Sequence, residues 1–305
     1  MESVAIIGGG TMGADIAAIF AAGEWTAHVV EPDAARRMGL TGRVEKAWEQ
    51  LGGGYAPERL VAHAGLASVP WRDIALVVEC APEDLAVKRK IFEEIERLAR
   101  PDATLASNSS SFPISEIARG LPTRARMCGL HFFMPAHLVP VVEVIRGEAT
   151  DAAVCQRLAG TMRALGRVPV TVKKDVPGFL VNRIQHAMMR ECFALIEQGL
   201  ATPEDVDAAV RYGFGFRFVA AGPILQKDLA GLDIHCAAAA TIYPTLCNDT
   251  APSRVLRERV AAGKFGVKTG EGFYMWGTER AATEKARYDR ALLGALEIFA
   301  RERGT

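Results

Sequence analysis

The sequence predicts an α/β fold in two parts: a doubly wound, largely parallel sheet over residues 1–177, then an all-helical domain over residues 178–305. Three observations lead there. Apolar runs of strand length alternate with helical segments through the first part, the rhythm of strands joined by crossover helices. The chain opens on a strand, a glycine-rich turn and a helix. At Asp175-Val176-Pro177-Gly178 the pattern is punctuated, and beyond it the signal is helical.

The first strand is Val4-Ala5-Ile6-Ile7. It runs into Gly8-Gly9-Gly10-Thr11-Met12-Gly13, and a helix continues through Ala14-Asp15-Ile16-Ala17. Gly8, Gly10 and Gly13 occupy the three positions of a dinucleotide-binding fingerprint. Gly8 lets the chain turn off the strand, Gly10 leaves the backbone open to a pyrophosphate, and Gly13 lets the helix pack closely on the strand. The free N–H groups at the helix start, at Thr11 and Met12, then face the phosphates. A second strand, Ala27-His28-Val29-Val30, ends in Glu31, at the spacing where an acid takes the ribose hydroxyls. A carboxylate there repels a 2′-phosphate, so NAD is expected rather than NADP, with Arg36 and Arg37 nearby as the opposing consideration.

Down the chain, a polar helix is expected from Asp33 to Leu51, broken by Gly52-Gly53-Gly54. Ile74 to Glu79 is a continuous apolar run, as in a strand covered on both faces. Residues 84–100 form an amphipathic helix with Leu85, Ile91, Ile95 and Leu98 on one side. Strands are expected at Thr104–Ala106, Met127–Phe132, Val139–Ile145 and Val168–Val172, and a helix from Asp151 to Leu165. In the second part, Leu180, Ile184, Met188, Cys192 and Ile196 recur every four residues. Thr202-Pro203-Glu204-Asp205 starts a helix that Gly213 and Gly215 are expected to end. Further helix is expected at Leu225–Thr241 and Ser253–Ala262. A cleft between the two parts is the expected meeting place of substrate and nicotinamide.

Half of the residues are hydrophobic, 24% are charged and the formal charge is zero. These values describe a soluble globular chain and imply no nucleic-acid partner. No apolar run is long enough to span a bilayer, and the first strand consumes the residues that a signal peptide would need. The six cysteines are scattered without a CxxC pair, which reads as reduced thiols in a cytoplasmic protein. The histidines show no metal-ligand spacing.

Ligands of such sheets bind beyond the carboxyl ends of the strands. Two polar clusters fall there: Ser107-Asn108-Ser109-Ser110-Ser111, and His131-Phe132-Phe133-Met134-Pro135 followed by Val141-Val142-Glu143. His131 and Glu143 stand on neighbouring strands. A buried carboxylate beside a histidine orients the ring and stabilises the imidazolium, suiting the ring to accept an alcohol proton while hydride leaves for a nicotinamide. The plain alternative is a satisfied core histidine and a surface strand residue.

These pieces occur together with Pro82-Glu83-Asp84-Leu85 through Lys88, Pro177-Gly178-Phe179-Leu180-Val181-Asn182-Arg183, Gly222-Pro223, and Phe265 to Tyr274 around Lys268. In this order and over nearly its whole length the chain resembles the L-3-hydroxyacyl-CoA dehydrogenase family. The resemblance implies a Rossmann-type NAD domain and a helical domain that forms a homodimer. It implies His131 as catalytic base, Glu143 as the acid of its dyad, Ser110 as the residue bonding the substrate oxygen near the nicotinamide, and Asn182 as an active-site asparagine. Glu83 and Lys88 match residues on the ribose and nicotinamide side of NAD, and Lys268 matches a lysine near the cofactor.

The chain departs from the family at Met134, where members of fatty-acid metabolism usually carry Asn; a thioether supplies neither an amide donor nor a strong acceptor. A second departure, Gly213 to Pro223, looks more like the branch acting on small free hydroxy acids, such as carnitine and gulonate dehydrogenases and their crystallin relative. Arg217 would then pair with a substrate carboxylate; the plain alternative is a solvated arginine. The leading expectation is an NAD-dependent dehydrogenase interconverting a 3-hydroxyacyl-CoA and its 3-oxo form. The same chemistry on a small free hydroxy acid is the alternative. A non-catalytic, crystallin-like NAD binder is a further one, opposed by the joint presence of Ser110, His131, Glu143 and Asn182.

Overall fold

The computed structural model describes residues 2–52 and 54–303, so Gly53 of the expected helix break lies outside the described residues. The chain divides into two compact units, Met1–Arg183 and Ile184–Thr305.

The first unit is built on one eight-stranded sheet in the order β3-β2-β1-β4-β5-β6-β7-β8. The strands are β1 (Ser3–Ile7), β2 (Thr26–Val30), β3 (Leu60–His63), β4 (Ile74–Glu79), β5 (Thr104–Ser107), β6 (Met127–Phe132), β7 (Val141–Ile145) and β8 (Val168–Val172). All neighbours are parallel except β6 and β7, which run antiparallel. The order reverses between β1 and β4, so the crevice at their carboxyl ends lies beside the glycine turn.

Alternation along the strands feeds two cores. Val4, Ile6, Leu76 and Val78 face one side, against Ile16 and Phe20 of α1 (Thr11–Ala22), Leu40 and Val44 of α3 (Leu40–Gln50), and Leu158 and Met162 of α6 (Ala152–Ala164). Ala5, Ile7, Ile74 and Val77 face the other, against Phe92 and Ile95 of α4 (Leu85–Leu98) and Ile114 and Ile117 of α5 (Ile114–Ile117). Burial on both faces explains the unbroken apolar runs of β1 and β4.

The long polar helix expected from Asp33 is two helices, α2 (Ala34–Met38) and α3, divided at Gly39. Asp33 caps the first by accepting from Arg36 N at 2.7 Å. β3 was not expected; it is a short edge strand with exposed middle residues, and its apolar run, Leu60-Val61-Ala62, is only three residues long.

The second unit is helical. It takes most of α7 (Val181–Glu197), then α8 (Pro203–Ala208), α9 (Gly215–Arg217), α10 (Pro223–Ala230), α11 (Leu232–Ile242), α12 (Arg254–Ala261) and α13 (Thr278–Arg303). Thr202 and Asp205 form a reciprocal capping box at the start of α8. Gly213 interrupts that helical run as expected, with a non-helical backbone at φ −88° and ψ −114°, but Gly215 does not end it. α8 runs on through a π-helical stretch, Ala209–Phe214, to that kink, and α9 starts at Gly215 beyond it. Gly215 is needed there because a Cβ would sit 2.5 Å from the Val210 carbonyl oxygen. The helix expected over Leu225–Thr241 is likewise divided, at Gly231, whose φ is +99°. Among the described residues no helix is long and apolar enough to cross a membrane.

Candidate functional site

The glycine turn has the shape that a dinucleotide requires. Gly8 has φ +112°, and a Cβ on it would meet the Cys80 carbonyl oxygen at 2.6 Å. A Cβ on Gly13 would lie 1.8 Å from the Gly8 carbonyl oxygen, so α1 packs on the turn only as glycine. At Gly10, by contrast, a Cβ would meet nothing within 4 Å. The space beside that backbone is open, and no side chain caps α1, leaving the N–H groups of Thr11 and Met12 for an anion. Glu31, buried at the end of β2, accepts from Gly9 N at 3.1 Å and Asp33 N at 3.0 Å. Each oxygen keeps a further acceptor position for a hydroxyl. Arg37 donates to the Glu31 and Pro32 carbonyl oxygens, so its guanidinium is occupied by backbone.

The serine cluster after β5 is braced from below. Lys88 on α4 is 1% exposed, and its ammonium lies 2.9 Å from Oε1 of Glu79, itself fully buried at the end of β4. The same ammonium reaches Glu83 Oε2 at 3.2 Å and donates to the Ala81 carbonyl. Glu79 also accepts from Ser107 Oγ at 2.6 Å and from Ala81 N at 2.6 Å. Glu83 Oε1 accepts from Ser109 Oγ at 2.7 Å and from the backbone N–H groups of Ser110 and Ser111 at 3.1 and 2.8 Å. Partial burial pushes the Glu83 carboxyl up, but the bond from Ser109 and the Lys88 charge outweigh it and hold it below the ordinary range. Lys88 thus reaches Ser110 through Glu83, and almost none of its own surface faces solvent. Asn108 Oδ1 accepts from Phe132 N at 2.8 Å, tying the serine loop to the end of β6.

The antiparallel pairing of β6 and β7 puts His131 directly opposite Glu143. His131 Nδ1 lies 2.8 Å from Glu143 Oε2, and His131 Nε2 lies 3.1 Å from Ser110 Oγ. An ionised carboxylate only accepts, so Nδ1 carries the proton; in the neutral ring Nε2 is then the acceptor and the serine hydroxyl donates to it. Glu143 Oε1 accepts from Leu180 N and Val181 N, both at 2.8 Å, and so closes the start of α7. Burial pushes the fully enclosed Glu143 carboxyl up. The His131 bond and those two N–H groups outweigh it and hold it below the ordinary range. Phe133 and Phe179 pack edge-on against the imidazole, with ring centroids 4.4 and 5.6 Å away. The ring is 3% exposed, while Ser110 at its Nε2 edge is exposed.

The first unit therefore brings together Ser110, His131 and Glu143 from three elements, with Glu83 and Lys88 behind them. Asn182 is half-buried at the start of α7, two residues after the first amide that Glu143 accepts. Met134, two residues past β6, is 64% exposed. Arg217 and Lys268 belong to the second unit, where both are exposed. Sequence reasoning missed Glu79 and Asn108 as framework residues. A charged residue closing an apolar strand was the available signal for Glu79. It also missed Asp15 on α1, whose Oδ2 accepts from Ala136 N at 2.9 Å and lies 3.0 Å from His137 Nδ1. That contact ties the fingerprint helix to the loop after β6.

Residues 3–176 match the family described as 3-hydroxyacyl-CoA dehydrogenase, NAD binding domain, and residues 178–276 its C-terminal domain. The chain is 33% identical over 310 residues to 5-formyl-3-hydroxy-2-methylpyridine 4-carboxylate 5-dehydrogenase of Mesorhizobium japonicum, with 98% of each chain covered. Among solved structures, that of 5-formyl-3-hydroxy-2-methylpyridine 4-carboxylic acid 5-dehydrogenase, an NAD+-dependent dismutase, is similar with a TM-score of 0.91 at 31% identity, covering 98% of each chain. That of (S)-3-hydroxybutyryl-CoA dehydrogenase from Ralstonia eutropha is similar with a TM-score of 0.72 at 30% identity, covering 91% of this chain and all of that one. With the NAD-binding turn and both matched domains in place, the chain belongs to the 3-hydroxyacyl-CoA dehydrogenase family.

Proposed function

We propose that the chain is an NAD-dependent oxidoreductase that interconverts a hydroxyl and a carbonyl on a small free carboxylated molecule. The observation that carries the chemistry is the line from Glu143 Oε2 through the His131 ring to Ser110 Oγ, with contacts of 2.8 and 3.1 Å. In the oxidative direction His131 Nε2 takes the substrate hydroxyl proton, whether that hydroxyl belongs to an alcohol or to a hydrated aldehyde. Glu143 holds Nδ1–H and balances the charge that the ring gains. Ser110 and Asn182 hold the substrate oxygen. NAD+ supplies the acceptor for the hydride when it is bound. Gly8, Gly10, Thr11, Met12, Gly13 and Glu31 hold its adenosine and phosphates, with Lys268 assigned to it from the second domain. Glu83 and Lys88 act by bracing the serine loop. In this reading residues 1–177 bind the cofactor and residues 178–305 serve substrate binding and dimerisation.

Two observations favour the free substrate. Met134 presents a thioether where the resemblance to the CoA-linked enzymes implies an amide, and the likeness to a dehydrogenase named for a free pyridine carboxylate spans 98% of both chains. The exposed Arg217, whose guanidinium has no side-chain partner among the described residues, is the candidate to hold the carboxylate. The likeness to (S)-3-hydroxybutyryl-CoA dehydrogenase supports the CoA-linked alternative. Rates of NADH formation or consumption at neutral pH separate the two. The proposal expects kcat/KM for a formyl-hydroxypyridine carboxylate to exceed that for acetoacetyl-CoA by at least tenfold. The reverse order assigns the CoA-linked reaction. No turnover of either, with NADH still bound, contradicts the oxidoreductase reading.

A homodimer through the helical domain belongs to the same proposal. In the Ile184–Thr305 unit only Cys192, Ala194 and Val206 are buried among the described residues, while Tyr212, Phe216, Ile224, Leu229, Leu232 and Ile234 are all exposed. The six free thiols support a reducing compartment such as the cytoplasm.

A further inference from the structure

Cys128 and Cys155 are two free thiols that the proposed chemistry does not use, and their sulfurs lie 3.5 Å apart. Cys128 sits on β6 with its side chain in the core shared with α6, on the opposite face of the strand from His131. It is fully buried, and its sulfur also donates to the Ile145 carbonyl oxygen at 3.1 Å. Cys155, near the start of α6, is buried in the same core at 6% exposure but also contributes to the lining of a surface cavity of about 380 Å³. The charged side chains around that cavity are Arg146, Arg163 and Lys173, with no carboxylate among the lining groups. Neither Arg163 nor Lys173 has an ion-pair partner among the described residues. Both sulfurs thus belong to the core, but Cys155 keeps a small exposed surface beside a cationic cavity while Cys128, behind it, keeps none.

We propose that Cys128 and Cys155 form a hydroperoxide-reactive dithiol that closes to a reversible disulfide across β6 and α6. The assignment of roles follows from access and surroundings: Cys155 keeps the exposed surface and lies beside Arg146, whose charge favours its thiolate, whereas Cys128 is fully enclosed. Cys155 thiolate attacks one oxygen of the hydroperoxide. An S–O bond forms, the O–O bond breaks, and the departing alkoxide or hydroxide takes a proton; sulfur is oxidised and peroxide oxygen reduced. Cys128 sulfur then attacks Cys155 sulfur, the S–S bond forms, the S–O bond breaks, and hydroxide leaves with the Cys128 proton as water. An external dithiol reverses the change by exchange. The tie would lie behind the strand that carries His131, so oxidation is expected to lower turnover. The modification itself does not depend on the reading of the active site.

The test uses the full chain with Cys236→Ser throughout, because Cys236 is exposed and reacts on its own. Hydrogen peroxide is added to the native protein, free thiols are counted, and peptides are mapped without reduction. The expected result is a loss of two free thiols per chain with a Cys128–Cys155 linked peptide, fully restored by dithiothreitol. In Cys128→Ser the expected product is a dimedone adduct on Cys155; in Cys155→Ser and Cys155→Ala no linked peptide forms. Oxidation confined to Cys80 or Cys247, or a linked peptide found only after denaturation, would overturn the proposal. A linked peptide with unchanged turnover would overturn its coupling to catalysis.

Discussion

Lys88 shows how a motif residue can serve a site without facing it. With its ammonium shared among Glu79, Glu83 and a carbonyl, and only 1% exposure, it neutralises a carboxylate that has no access to water. Lys88→Met should leave Glu79 buried and unpaired. The expected cost is ~3–5 kcal/mol, read as a shift in the denaturant midpoint; an unchanged midpoint would show that the pair contributes nothing. Glu143 gives a pH prediction. Its native value is held below the ordinary carboxylate value of about 4.3, so its charge favours the folded state above that value. That contribution fades as pH falls toward the lower native value. The melting temperature of wild type should therefore drop on acidification below about pH 4.3. Glu143→Gln should show a shallower drop, though not a flat one, because Glu83 is shifted in the same direction. At this scale His131 and Glu143 stood out as polar residues within apolar strands, and Ser110 as one of a polar run after β5, singled out by the resemblance. Glu79 carried the same kind of signal at the end of β4 and was passed over, whereas Asp15 was not legible, since its partners Ala136 and His137 lie more than a hundred residues away in sequence.

The elements were legible where burial was even and obscure where it was not. β4, covered on both faces, wrote a long continuous apolar run; β3 at the sheet edge wrote only Leu60-Val61-Ala62, too short to stand out. The division of the polar segment at Gly39 and the π-helical stretch before α9 escaped for a related reason. Short exposed helices carry little periodicity, and a glycine can be a terminus or a close contact without any change in the letters around it. The fingerprint glycines allow a sharper test of that distinction. Gly13→Ala forces a Cβ into the Gly8 carbonyl and should lower stability by ~1–3 kcal/mol along with NADH binding. Gly10→Ala places its Cβ in open space, so the melting temperature should hold while NADH affinity falls at least tenfold. Equal thermal melts for the two variants would contradict this assignment of roles.

For the whole molecule, seven strands of the eight-stranded sheet and the helical second part follow from patterning, and matches to both domains of one family agree with it. The proposed dimer rests on apolar side chains that α10, α11 and α12 leave uncovered. Light scattering should give twice the chain mass, and a monomer at micromolar concentration would contradict the dimer. Substrate identity is the least legible property, since it rests on single positions, Met134 and Arg217, rather than on any pattern. The proposed chemistry depends most on His131 acting as the proton acceptor, so the decisive measurement is the turnover of His131→Ala beside a fluorescence titration with NADH. The prediction is a ~10²–10⁴-fold loss of kcat with the NADH dissociation constant unchanged. Retained turnover, or a loss explained by failure to bind NADH, would contradict it.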